Sequence, residues 1–136
     1  MYDMVTKIAE SVALTQRTIN TNTNTDGAII DLKNFDAANL TLLMGAITDG
    51  SYAVQLFHGD QSNLSDATQA TVAVDGVGDI LGDVSAITSA KANTTQTIGY
   101  IGNKRYIRLR LVSTGVTTGG AFSCAAILSR ALHQPV

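Results

Sequence analysis

The chain has no tryptophan, one cysteine (Cys124), one proline (Pro135) and one glutamate (Glu10) among its 136 residues. A single cysteine excludes an internal disulfide, and the start MYDMVTKIAESVALTQ lacks the basic-then-apolar order of a signal peptide. Both point to assembly in a reducing cytoplasm. Glutamate and lysine are too scarce to solvate the outer faces of amphipathic helices, so the composition favours strands and turns. Charged residues reach only 15%, below the usual share of about a quarter. Such a surface does not rely on charge to keep neighbours apart, as expected of a protein that ends in an assembly. A formal net charge of −2 counts against a general nucleic-acid binder. No apolar run approaches the roughly 18 residues that span a bilayer. Neither nucleic acid nor membrane is an expected partner.

Hydrophobic residues, at 45%, are sufficient for one packed domain. Asn39 to Ile47 reads as the strongest buried strand, with Leu40, Leu42, Met44 and Ala46 sharing a face. Asp49-Gly50 is a hairpin signal, which makes Tyr52 to His58 the expected antiparallel partner. Thr18 to Gly27 (TINTNTNTDG) reads as a polar strand or loop ending in a turn, and Ala28 to Leu32 as a short apolar strand. Gly59 to Ala70 is a polar surface loop; Thr94 to Ile101, Tyr106 to Val112 and Ala121 to Leu128 are further strands. In Tyr106 to Val112, Ile107, Leu109 and Leu111 alternate with Arg108 and Arg110. The alanines of Val84 to Asn93 allow one helical turn. Seven or eight short strands without a βαβ rhythm predict an all-β fold, a single antiparallel sandwich or barrel-like domain. Its expected bounds are 18–129, with an N-terminal arm over 1–17 and a C-terminal tail over 130–136. Residues 1–17 also fit an edge strand, or a short helix with Met4, Ile8 and Val12 on one face.

Catalysis finds little support. The imidazole bases are His58 and His133, and no G-x-S-x-G elbow is present. Cys124 sits mid-strand, where a buried inert thiol is the plain reading. One cysteine and two distant histidines do not make a zinc site. Asp75, Asp79 and Asp83 recur every fourth residue among glycines, yet Gly-Asp pairs are ordinary turn formers. The chain is therefore expected to be no enzyme and to hold no cofactor or metal. Lys104, Arg105, Arg108 and Arg110 form a basic cluster, read first as the solvent face of an edge strand and next as a protein contact.

The run NTNTDGAIIDLKNFDAANLTLLMGAITDG, followed by YAVQLFHGDQSNLSDA, resembles small proteins encoded beside the major capsid protein in many tailed phages. The residues that carry the resemblance are Asp31, Leu32, Phe35, Gly45, Thr48, Asp49 and Gly50. In the second half IGYIGNKRYIRLRL, the glycine-rich GVTTGG and the closing HQPV are similar to the same group. The resemblance runs from about Asn20 onward and contains no catalytic motif. It implies a virion structural protein, in first place a head decoration (cement) protein on the outer capsid lattice, with the major capsid protein as partner and a dimer or trimer as its own state. A neck or tail protein of the connector-stopper or tail-tube type, with residues 59–70 or 76–95 as lumenal loop, is the alternative. A glycan-binding β-sandwich module ranks below it. The expected contact residues are Met4, Val5 and Ile8 in the arm, Arg105, Arg108 and Arg110 in the basic cluster, and His133 and Pro135 in the tail. Deleting residues 1–17 is then expected to weaken capsid retention and leave the domain folded.

Overall fold

The computed structural model describes residues 8–33, 35, 37–72 and 77–129, with the side chain of Ile8 left aside. Met4, Val5, His133 and Pro135 lie outside the described residues. The chain folds as two antiparallel sheets packed face to face, as the alternation of its strands predicts. In chain order the strands are β1 (Ile8–Ile19), β2 (Asn24–Asp26), β3 (Ile30–Asp31), β4 (Ala37–Ile47), β5 (Ser51–Gly59), β6 (Thr68–Gln69), β7 (Ile80–Gly82), β8 (Thr95–Tyr100), β9 (Tyr106–Thr114) and β10 (Gly120–Ser129). One sheet has the order β1-β10-β4-β8-β7, the other β2-β9-β5-β6, with β3 also pairing β9. A single 3₁₀ turn, Ser89–Lys91, falls within the alanine-bearing stretch where one helical turn was allowed. No described helix is long and apolar enough to cross a membrane.

The core lies between the sheets. Leu40, Leu42, Phe122, Ala126 and Ile98 enter it from the first sheet; Tyr52, Leu56, Ile107, Leu109 and Leu111 enter from the second. The Tyr52 and Phe122 rings meet across the gap at 4.5 Å between centroids. Along β9 the expected division holds: Ile107, Leu109 and Leu111 are fully buried and the arginines between them are half-buried.

The expected β4–β5 hairpin does not form. β4 pairs with β10 and β8, β5 pairs with β9 and β6, and Asp49-Gly50 carries the chain from one sheet to the other. Alternating strands around Asp-Gly suit such a crossing as well as a hairpin, because both bring two apolar faces together. What fixes the crossing is distant in sequence. The Asp49 carboxylate accepts the Thr117 hydroxyl and the backbone N–H groups of Thr117, Thr118 and Gly119, all in the β9–β10 link, which also crosses between sheets. Gly50 has φ +92°, and a side chain there would run into Val116 and Tyr52 of the same corner. The β1–β2 link joins in. Asn22 accepts the Val116 N–H at 2.9 Å, and the Ser113 hydroxyl donates to the Thr21 carbonyl at 2.7 Å.

Two smaller departures have local causes. Ala46 is exposed although Leu40, Leu42 and Met44 point inward, because β4 has a bulge between Met44 and Ile47 that turns Ile47 into the core. The division at residue 17 is displaced as well. Residues 8–19 form the edge strand β1, paired with β10 from Ile8↔Ser129 to Ile19↔Gly120, and Ala13 and Leu14 are buried. The second half of the supposed arm is therefore part of the domain. Its free edge is covered at Ala13, whose carbonyl accepts the Ala28 N–H at 2.9 Å, while the neighbouring Gly27 N–H reaches Leu109 of the other sheet at 2.8 Å. A side chain at Gly27 would collide with that Ala13 carbonyl, so the Asp26-Gly27 step is a clasp between sheets.

Two outcomes follow for stability. Leu14→Ala, read by urea denaturation, should cost about 3 kcal/mol through lost burial and an unfilled cavity, and deletion of residues 1–17 should abolish cooperative folding. The Asp49 carboxyl is held well below its ordinary value of 3.8, first by the Thr117 hydroxyl and then by the Thr118 and Gly119 N–H groups. A carboxyl lowered in the folded state stabilises it fully above that ordinary value and loses the effect as pH falls below it. Asp49→Asn should thus lower the urea midpoint at pH 6, and its gap from the parent should close between pH 3.8 and more acid solution.

Candidate functional site

Among the described residues the groups that suggested chemistry are used for structure. Cys124 is buried in β10, and desolvation pushes its thiol up to about 12. His58 is buried at the end of β5 with Nδ1 2.8 Å from the Tyr100 hydroxyl. That hydroxyl already accepts the Lys104 N–H at 3.1 Å, so its own proton is free to go to His58 Nδ1. The Nε2–H then faces the Asp79 carboxylate, 3.9 Å away. The arrangement pins β5, β8 and the β8–β9 link together. Asp79 also accepts the Thr71 N–H at 3.2 Å, and Asp83 accepts the Ser85 N–H at 2.8 Å and pairs with Lys91 at 3.3 Å. Asp75 lies outside the described residues, and no described cluster of three or more His, Cys, Asp or Glu is arranged to hold a metal.

The basic cluster is brought together on the outer side of the second sheet, and β9 is a central strand there, flanked by β2, β3 and β5. The edge-strand reading of Arg108 and Arg110 is corrected accordingly. Each cation meets a carboxylate from a distant segment. Arg105 grips both oxygens of Asp31 at 2.9 Å, which draws the Asp31 carboxyl down to about 2. Arg110 holds Asp26 at 2.6 Å while its guanidinium lies 4.5 Å from the Phe57 ring centroid. Arg108 stands 4.0 Å from the same Asp26, with a buried Nε that has no partner, and Lys104 pairs with Asp60 at 3.3 Å. Beside these pairs a surface depression opens between Leu32, Phe35 and Gly102. The cluster sets four cations against three carboxylates, so most of its charge is compensated within the molecule.

The outer side of the first sheet is the opposite kind of surface. Strand register places Val12, Ala125, Thr41 and Thr97 in one row across it, with Leu43 and Ile127 in the flanking rows. Glu10, opposite Ile127, is the charged residue at its corner. Val12 is 56% exposed, Leu43 49% and Leu81, on the adjoining β7, 52%. Among the described residues these are the exposed large hydrophobics that lie on strands, and all three share this face; Ile29, Val72, Val77 and Ile101 lie in links. The signal was present as alternation at 41 and 43 and at 123, 125 and 127, where uncharged residues (Thr, Leu, Ser, Ala and Ile) occupy positions that normally carry charge. Ile8, the remaining expected contact residue within the described range, opens β1 opposite Ser129.

No family model matches the chain, and no curated protein matches it. Solved structures do. PBSX exported protein XepA matches with a TM-score of 0.54 at 15% identity, over 94% of this chain and 39% of XepA, so the chain spans about two fifths of that protein. The SPBc2 prophage-derived protein YomS matches with a TM-score of 0.49 at 14% identity, over 89% of this chain and 93% of YomS. A carbohydrate-binding module, CBM32 of AlyQ, matches with a TM-score of 0.44 at 11% identity, over 92% of this chain and 96% of the module. At these identities the comparison shows the fold alone, a β-sandwich that this chain shares with part of XepA.

The buried thiol can be checked directly. Cys124 should resist a thiol-specific disulfide reagent in native protein at pH 8 for as long as the protein stays folded, and react at once in denaturant.

Proposed function

We propose that this chain is a structural protein of a tailed-phage particle, acting as a decoration protein that binds the outer capsid lattice and stabilises the head. The observation that carries the reading is the contrast between the two outer faces. One has most of its charges tied up in ion pairs within the molecule, and the other is nearly free of charge. Such a chain is made for contact with protein, not for chemistry on a substrate. The resemblance from about Asn20 onward supplies the particle, and the sandwich shared with XepA is compatible with it. In this role it acts without catalysis or cofactor, the major capsid protein is its partner, and it is built into the virion after synthesis in the host cytoplasm. Many modest contacts on a repeating lattice would together give firm retention.

The neck or tail alternative requires a loop that reaches into a lumen. Residues 59–70 instead fold back, with Leu64 buried and Asp66 accepting the N–H groups of Asp60 and Gln61. In the other segment Ile87 is fully buried and exchanges both backbone hydrogen bonds with Tyr52 at 2.9 Å. For the glycan alternative, no aromatic side chain appears among the exposed large hydrophobics of the described residues. These features favour the lattice.

Copy number relative to the major capsid protein, measured by mass spectrometry of purified particles, tests the proposal. A lattice-covering protein should appear near one copy per capsid subunit, or at a simple fraction such as about one third. About a dozen copies would move it to the neck or tail, and absence from particles would sink the virion reading.

A further inference from the structure

We infer that the uncharged outer face of the β1-β10-β4-β8-β7 sheet is where the chain pairs with a second copy of itself, sheet against sheet. Three observations carry the inference. First, a two-fold interface sets a surface against its own image, so any net charge on it opposes itself unless opposite charges are placed to match. This face escapes that constraint, since its central rows run through Val12, Ala125, Thr41 and Thr97 and through Ser123 and Leu43. Second, the exposed large hydrophobics that lie on described strands, Val12, Leu43 and Leu81, are all on it. The outer face of the second sheet instead carries Arg105, Arg108 and Arg110 with Asp26 and Asp31.

Third, the size fits. At the usual strand spacing and rise the face measures roughly 500 Å² per copy. Two copies would bury about 1,000 Å² in total, where specific interfaces begin. The small side chains of Thr41, Thr97, Ser123 and Ala125 between the larger apolar ones suit the ordinary sheet packing distance of about 10 Å. An interface of that size with no large aromatic anchor predicts a reversible dimer with a dissociation constant in the micromolar range, about 1–100 μM. The pairing rests on the face alone and does not depend on the virion reading. On a capsid this face would then be taken by the second copy, and the paired unit would meet the lattice through its other surfaces.

Sedimentation velocity of the full chain across about 1–500 μM tests it. The expected result is a monomer–dimer equilibrium that Leu43→Lys and Thr41→Lys each shift toward monomer by at least about tenfold, because each would bury a charge against its own copy. Ala53→Lys, on the outer face of the other sheet, should leave the equilibrium unchanged, and near-identical circular dichroism and urea midpoints would show that all three variants fold. A chain monomeric throughout the range overturns the inference. That holds even if Leu43→Lys abolishes binding to purified capsids, a result that would give the face to the lattice instead. A dimer indifferent to Leu43→Lys and Thr41→Lys but broken by Ala53→Lys overturns it as well.

Discussion

The Asp49 carboxylate holds the sandwich closed at one end, and the rest of the fold depends on how it does so. Of the nine links between the ten described strands, six pass from one sheet to the other. Each passage takes backbone N–H groups out of a ladder and leaves them in need of acceptors. Asp49 answers for three consecutive ones in the β9–β10 link, Asn22 for Val116, and the Tyr52 hydroxyl donates back to the Asp49 carbonyl at 3.0 Å. At the opposite end the Tyr100 hydroxyl plays the same part for Lys104 in the β8–β9 link, and Asp66 accepts from Asp60 and Gln61 in the β5–β6 link, which stays within one sheet. The abundance of Asn, Thr and Asp, which reads as loop composition in sequence, is in good part a supply of such acceptors and donors.

That economy explains which parts of the structure could be read from sequence. Strands β4, β9 and β10 announce themselves, because alternation is a property of each strand alone, and the inward residues of β9, and of β4 as far as Met44, are the ones expected. Pairing is a property of two segments, and the information for it is spread out. Asp49-Gly50 looks like a hairpin until Thr117 to Gly119, almost seventy residues on, is seen to occupy its carboxylate. β1 resists reading for another reason. Register shifts between Val12 and Leu14 and between Leu14 and Arg17 break its two-residue period, so helix, arm and edge strand all fit the pattern. The basic cluster was visible as residues but not as a surface, since its partners Asp26 and Asp31 lie 74 to 84 positions away.

With these partners in place the two outer faces take different roles. Pairing Arg105 with Asp31 and Arg110 with Asp26 compensates most of the charge of the second sheet internally, and a largely compensated surface stays hydrated and gains little by meeting another protein. The first sheet keeps apolar and small polar side chains where water is a poor partner and a flat neighbour a good one. A low overall charge is then no hazard, because the surface inviting contact is confined to one side of the molecule.

The chain ends add a constraint of their own. Ile8 lies opposite Ser129 in the β1–β10 pair, so residues 1–7 and 130–136 begin from one corner of the first sheet, beside Glu10 and the uncharged face. The first and last described residues, Ile8 and Ser129, thus share the sheet that carries the uncharged face, while most of the paired charge lies on the other sheet. A surface whose charges are compensated within the molecule costs more to strip of water than an uncharged one, so contact with protein is favoured on the first sheet.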